Sequence, residues 1–316
     1  MDNISLSVII PVYNAENYLK KSISSYTFNK SKEVEFICVN DGSTDDSLPI
    51  LKNFSSQDSR IKIIDGPNQG PAGARQLGIT HAVGKYVWFV DSDDTCDVNA
   101  IDIILECIHE NTADIYYFGV RLIEDSASPH PSANYYSLAN IPLQRFDENL
   151  SLNKNAYLLF NLPRELWNKV YRRKMIIDNH ITFPHNISLY DDIMFTTLAL
   201  LNAKKIMLKS NIIYNYHLSH NGSVMDTAKD RLEGIFYYFK NIYKETDKYG
   251  SYIKRSWLLK EICSMNYWMK RKNINTEEFK KNLKSLYNEL DINFNELMPN
   301  DLYQYKNLKI VLDFYK

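Results

Sequence analysis

The sequence predicts an α/β protein: a mostly parallel sheet with helices on both faces, plus a C-terminal helical extension. Three observations lead there. Short apolar runs alternate with helix-spaced segments over the first 120 or so residues. Several of those runs end in polar loops, where open α/β sheets bind ligands. Beyond Thr227 only helical periodicity remains.

The elements follow in chain order. Leu6–Val12 is an apolar run ending in Pro and Asn, a buried strand. Ala15–Tyr26 carries Tyr18, Leu19, Ile23 and Tyr26 at helical spacing, with Asn14 as N-cap. Val34–Val39 is a second strand. Ser43-Thr44-Asp45-Asp46 reads as a capping box ahead of a helix through Phe54. Arg60–Ile64, Lys85–Val90 and Asp114–Leu122 are strands, and Gly70–Val83 and Asp97–Asn111 are helices. Asp125–Pro142, rich in Ser, Pro, Asn and His, is expected to be a mobile loop. Leu152–Phe160, Lys174–Asn179 and Asp191–Leu201 follow as helices, and Lys204–Leu208 and Ile212–Tyr216 as strands. The tail reads as three helices: Leu232–Tyr249, Tyr252–Lys270 and Glu277–Leu290.

Composition narrows the function classes. The 316 residues hold 37 Lys+Arg and 38 Asp+Glu, so nothing points to a nucleic-acid partner. No apolar run reaches 18 residues, and the start lacks the basic and apolar pattern of a signal peptide. Cys38, Cys96, Cys107 and Cys263 lie far apart, as reduced thiols of a cytoplasmic protein do. Charge is uneven: residues 229–316 carry 17 Lys+Arg against 12 Asp+Glu. The expected boundary therefore sets 229–316 apart as a basic helical region.

Three strand-end loops carry the chemistry: Pro11-Val12-Tyr13-Asn14, Asn40-Asp41-Gly42-Ser43 and Asp91-Ser92-Asp93-Asp94. All three open onto one crevice. Three carboxylates within four residues repel one another, and a hard cation, Mg²⁺ or Mn²⁺, would offset that charge. A solvated helix start is the plainer alternative. Asp41 suits a base that offers an N–H, uracil or guanine, and rejects cytosine; it suits a helix cap equally well. Tyr13 can lie flat against such a base. The helix opening at Gly70-Pro71-Ala72-Gly73-Ala74-Arg75 favours an anion at its start. Neither GxxxxGK[ST] nor a GxGxxG after the first strand occurs, which removes P-loop and dinucleotide-binding readings.

SVIIPVYNAENYL, ICVNDGSTDDS, NQGPAGARQLGI and YVWFVDSDD, in that order, closely resemble the family 2 glycosyltransferases, and LWNKVYRR and LYDDIMF extend the likeness to about residue 224. The resemblance implies a GT-A-like (Rossmann-like) fold, with 1–125 the nucleotide-sugar-binding half and 126–228 the acceptor-binding half of one domain, and an inverting transfer of a hexose or N-acetylhexosamine from a UDP-sugar. It implies Pro11, Tyr13 and Asp41 around the base, and Arg75 beside the base or diphosphate. Asp91 would contact ribose or metal, Asp93 would be the main metal ligand, and His217 or His220 would touch phosphate or metal. Trp167, Asn168 and Lys169 would border the acceptor or donor sugar. Asp192 would be the general base, with Asp191 its alternative because Asp stands there in place of the usual Glu. Gln76 stands where the family usually has Asn. The implied acceptor is a saccharide, usually lipid-linked, of capsule, lipopolysaccharide or O-antigen. Tyr237, Tyr238, Trp257 and Trp268 among Lys and Arg suggest peripheral contact with the inner membrane, or else a solvated helical cap. Two other classes compete: a non-catalytic glycan- or nucleotide-binding protein, and a sugar nucleotidyltransferase. The latter would need a Gly-rich basic loop after the first strand, which is absent.

Overall fold

The computed structural model describes residues 4–110, 113–123, 149–184, 190–217, 228–258, 260–261, 281, 284–286 and 288–290. They fall into two compact units. The first comprises residues up to Ser151 together with Pro163–Asp226, and the second Leu152–Leu162 with the chain from Thr227 onward.

The first unit is built on one mixed α/β sheet. β1 (Leu6–Val12) lies between β2 (Val34–Asp41) and β4 (Tyr86–Phe89), parallel to both, and β3 (Ile61–Gly66) continues the parallel half beyond β2. β8 (Lys169–Arg172) runs antiparallel between β4 and β6 (Ile115–Ile123), and β6 pairs in parallel with β9 (Ile206–His217). The short β5 (Thr95–Cys96) and β7 (Asn149–Leu150) pair with β9. The apolar runs of β1 and β2 are buried almost throughout, as a parallel sheet covered on both faces requires.

Helical spacing sets the covering faces. α1 (Glu16–Tyr26) buries Leu19, Ile23 and Tyr26, and α4 (Ala100–Glu110) buries Ile101, Ile104 and Leu105. α2 (Ser47–Gln57) contributes Leu51. α3 (Gly70–His81) buries mainly small residues, Ala72, Gly73, Ala74 and Gly78, and so approaches β1 closely. A Cβ on Gly78 would run into Ile9 Cγ2, a branched atom in the core. Gly78→Ala is therefore expected to cost about 1–3 kcal/mol through overpacking, read as a lower denaturant midpoint.

Several expected details change. Asn14 is not an N-cap: it adopts φ +49°, and its Oδ1 accepts the Thr44 N–H at 2.8 Å. The capping box does not form either. Glu16 accepts the Asp46 N–H at 2.9 Å while Asp45 accepts the Glu16 N–H at 3.0 Å, so α1 and α2 cap each other. Each acid sits at the positive end of a helix, which favours the exchange. The two strands expected at 204–216 are one, β9, with a register shift opposite Gly119. β5 and β8 were not expected; both are short and gain their place from sheet pairing rather than from an apolar run. The loop expected at Asp125–Pro142 lies outside the described residues.

α6 (Arg173–Asp178) follows β8, and α7 (Asp191–Asn202) precedes β9. Phe195 on α7 stacks on Phe183 at 4.3 Å and meets Phe89 of β4 edge-on at 5.4 Å. This cluster fixes the start of α7 relative to the end of β4. On α7, Phe195, Ala199, Leu200 and Leu201 are buried and Leu198 is half-exposed.

The second unit holds α5 (Leu152–Phe160), α8 (Ala228–Thr246), a 3₁₀ turn Asp247–Tyr249 and a helical stretch from residue 251 to 258. Trp257 is fully buried, donates Nε1–H to Tyr238 Oη at 2.9 Å and packs on Phe239. Tyr238 and Trp257 are thus core residues rather than a membrane-facing pair. Tyr237 is exposed, and Trp268 lies outside the described residues. Among the described residues no helix is long and apolar enough to cross a membrane.

Candidate active site

The loops after β1, β2 and β4 lie at the carboxyl ends of adjacent parallel strands, as the sequence requires. Tyr13 is 52 % exposed and Pro11 half-buried, so an aromatic face is open to a ligand. Asp41 is buried, and its Oδ1 accepts the Gln69 N–H at 2.7 Å, at the start of α3. Gly42 turns the chain at φ +71°, and a Cβ there would meet the Asn68 backbone nitrogen at 2.8 Å. Burial pushes the Asp41 carboxyl above the usual carboxylate range, opposed by the N–H bonds from Gln69 and Gly70.

The three acids after β4 divide in role. Asp94 is only 1 % exposed and is held at both oxygens: Tyr214 Oη donates to Oδ2 and the His217 backbone N–H to Oδ1, each at 2.7 Å. Burial, with Asp91 and Asp93 next in importance, pushes its carboxyl up to about 8. Asp94 therefore ties the turn to the end of β9. Asp91 Oδ1 accepts from Arg75 Nη2 at 2.9 Å, and Asp93 is half-buried in the same turn.

α7 begins under backbone strain. Tyr190 takes φ +72°, uncommon for a bulky residue and a feature that gathers at functional sites. Asp191 is buried and accepts from Arg75 Nη1 at 3.0 Å. Asp192, half-buried, accepts the Ile193 N–H at 2.7 Å. Burial first, then the Asp191 charge, pushes the Asp192 carboxyl up to about 7, and Arg75 pulls the other way. Gln76 Oε1 accepts the Phe183 N–H at 3.0 Å, so this departure from the family's usual Asn fastens the segment leading to α7.

Trp167, Asn168 and Lys169 lie beneath this site. Trp167 is 6 % exposed and stacks on Tyr214 at 5.1 Å and on Tyr216 at 5.7 Å; Asn168 and Lys169 are fully buried. Their side chains are enclosed within the protein, beside Tyr214, Tyr216 and Tyr117. Burial pushes the Lys169 ammonium down to about 7, and it donates to the Glu165 carbonyl and to Asn168 Oδ1 and lies 4.7 Å from the Tyr117 ring centre.

The turn suits a divalent ion chemically. Asp91 and Asp93 offer hard oxygens, and the like charge that helps raise Asp94 is what a cation relieves. Among the described residues no three His, Cys, Asp or Glu side chains gather as a metal set. His217 is buried with Nε2 3.1 Å from Thr95 Oγ1, and His220 lies outside the described residues. A site completed by substrate phosphates and water needs only one or two carboxylates.

Sequence reasoning did not find Tyr214, or the use of Arg75 by two carboxylates at once. The alternate-residue spacing of Tyr214 and Tyr216 on β9 was the available signal for the first; the second has none.

Known proteins carry the same framework. The chain is 31 % identical over 217 residues to glycosyltransferase GlyA of Streptococcus pneumoniae, covering 67 % of this chain and 30 % of that one. It is 29 % identical over 229 residues to poly(ribitol-phosphate) beta-glucosyltransferase of Bacillus spizizenii, covering 71 % and 34 %. It thus spans about a third of the length of these relatives. The fold is similar to that of Staphylococcus aureus TarS residues 1–349 in complex with UDP, with TM-score 0.57 and 25 % identity over 74 % of this chain and 64 % of that one. The TarS complex with UDP-GlcNAc gives TM-score 0.64 at 23 % identity over 82 % and 73 %, a likeness of fold. The family model Glycosyl transferase family 2 matches residues 7–174. That match runs from within β1, through the loops after β1, β2 and β4, to the start of α6, over more than half of the sequence, and the chain belongs to glycosyl transferase family 2.

Proposed function

We propose that the chain is a metal-dependent, inverting glycosyltransferase that moves a hexose or N-acetylhexosamine from a UDP-sugar to a saccharide acceptor. The observation that carries this reading is the single guanidinium of Arg75, bonded to Asp91 at the donor turn and to Asp191 at the start of α7. One side chain's reach separates the carboxylates suited to a sugar nucleotide from an acid pair suited to proton transfer.

Asp192 is the base, because Asp191 is committed to Arg75 and Asp192 has its carboxyl near neutrality. It removes the proton of the acceptor hydroxyl as that oxygen attacks the anomeric carbon. The bond from the anomeric carbon to the diphosphate oxygen breaks on the opposite face, and UDP leaves with the electron pair. An α-linked donor so gives a β-linked product. A divalent ion held by Asp93 and Asp91 would supply charge neutralisation of that leaving group. Tyr13 stacks on the base, and the remaining lone pairs of Asp41 accept its N–H. The UDP complex of TarS supports uridine as that base.

The acceptor class we propose is a lipid-linked saccharide of bacterial capsule, lipopolysaccharide or O-antigen. The poly(ribitol-phosphate) glucosyltransferase relative supports a cell-surface glycan. Peripheral contact with the cytoplasmic membrane face rests on the basic charge of residues 229–316 and exposed Tyr237.

Competition between uridine and guanosine diphosphates with Mn²⁺ present tests the donor. UDP is expected to raise the melting temperature more than GDP at equal concentration and to displace it. Tighter binding of GDP would overturn the assignment of Asp41 and Tyr13 to uracil.

A further inference from the structure

The family resemblance places Arg75 beside the donor, whereas the structure surrounds it with acids. Its side chain is 12 % exposed, and each terminal nitrogen donates to an acid, Nη2 to Asp91 and Nη1 to Asp191. Nε is buried and has no hydrogen-bond partner among the described residues. Three separate segments meet at this group: α3, which carries it, the turn after β4, and the first residue of α7.

We propose that Arg75 is a positioning residue: its fork ties the base's helix to the donor turn and holds Asp191 out of the chemistry, leaving Asp192 to act. This role rests on the transferase reading above. The physical reason is the cluster's charge. Asp91 and Asp191 both lie within hydrogen-bond reach of one guanidinium, so without it two carboxylates would face each other across a few ångströms with Asp192 adjacent. A planar fork reaches two carboxylates at once, and an ammonium, being one compact centre, does not. The groups facing Asp192 are Asp191 on its own helix, Arg75 from α3, Glu165 from the segment before β8, and Lys169 and Tyr171 from β8.

The two partners of the tie act on Asp192 with opposite sign. Asp191 pushes its carboxyl up and Arg75 pulls it down. A base works when deprotonated, so turnover falls on the acid side of its titration. Losing the Arg75 charge moves that acid limb to higher pH, and losing the Asp191 charge moves it to lower pH. A residue that only holds the fold together gives no such opposed pair.

The experiment measures UDP release from UDP-N-acetylglucosamine and from UDP-glucose, with Mn²⁺, across pH, for the full chain and for Arg75→Gln, Arg75→Lys and Asp191→Asn. UDP binding is measured alongside by calorimetry. Arg75→Gln is expected to lower kcat by about 10–100-fold, with donor KM and UDP affinity within about threefold of wild type, since the fork serves geometry. Its acid limb moves up in pH while that of Asp191→Asn moves down. Arg75→Lys keeps the charge, so its limb stays near wild type, but it loses kcat because it spans only one carboxylate. If Arg75→Gln does not fold, the test falls to Arg75→Lys, expected to lose kcat with donor KM kept, and to Asp191→Asn, whose acid limb moves down in pH. Retained kcat with donor KM and UDP Kd raised tenfold or more in the Arg75 variants would show a donor contact and overturn the proposal. Limbs of Arg75→Gln and Asp191→Asn that move the same way, or an Asp191→Asn limb that does not move, would overturn it too. A wild-type chain that releases no UDP from either donor overturns the transferase reading itself, a result distinct from either of these.

Discussion

Asp192→Asn is expected to lower turnover by about 10²–10⁴-fold, the range a positioned general base contributes. The amide keeps the size of the side chain and removes its proton affinity. Donor binding should survive, because Asp41, Tyr13 and the turn after β4 lie on other elements. The wild-type rate should fall as pH drops through about 7, where the Asp192 carboxyl takes up a proton, and that limb should vanish in the variant. Asp191→Asn is the control. Engaged by Arg75, Asp191 should cost less when changed than Asp192 does. If Asp191→Asn abolishes turnover and Asp192→Asn leaves it near normal, the base is one residue earlier. If neither matters, the pair is only an acidic first turn favoured by the helix dipole.

Asp93→Asn should lower activity by at least about a hundredfold, the scale of losing one charge-stabilising group at a developing leaving group. UDP binding should also lose most of its dependence on Mn²⁺, which calorimetry with and without the ion reads directly. Asp94→Asn would act differently: Asp94 is spent on Tyr214 and the His217 backbone, so its change should loosen the end of β9 before it affects metal. Undiminished activity and metal dependence in Asp93→Asn would remove Asp93 from the metal site.

The parallel half of the sheet was legible because each strand is an apolar run closed by a polar loop, from Leu6–Val12 to Tyr86–Phe89. Local signals failed where tertiary pairing decides. β8 is four residues containing Lys and Arg, and it becomes a strand by pairing with both β4 and β6. Asn14 and the Ser43–Asp46 stretch have ordinary capping composition, yet the two helix starts lie close enough to exchange Glu16 and Asp45 instead. Among the site residues, the carboxylates could be named from the sequence because their chemistry is local. What each one bonds to could not, since Arg75 and Asp191 are 116 residues apart. Trp167 shows the same limit from the other side: a tryptophan in a polar stretch suits a sugar platform, and only packing on Tyr214 and Tyr216 reveals it as core.

In the proposed reaction a single displacement carries a sugar from UDP to an acceptor oxygen, and Asp192 takes up that oxygen's proton. Proton NMR of the reaction of an α-linked UDP-sugar and a saccharide acceptor with Mg²⁺ reads it most directly, because the anomeric coupling of the first-formed product and the appearance of UDP are seen in one sample. UDP release with a product of β configuration is expected, both lost together in Asp192→Asn. A product of α configuration, or UDP formed at the wild-type rate by Asp192→Asn, would contradict it.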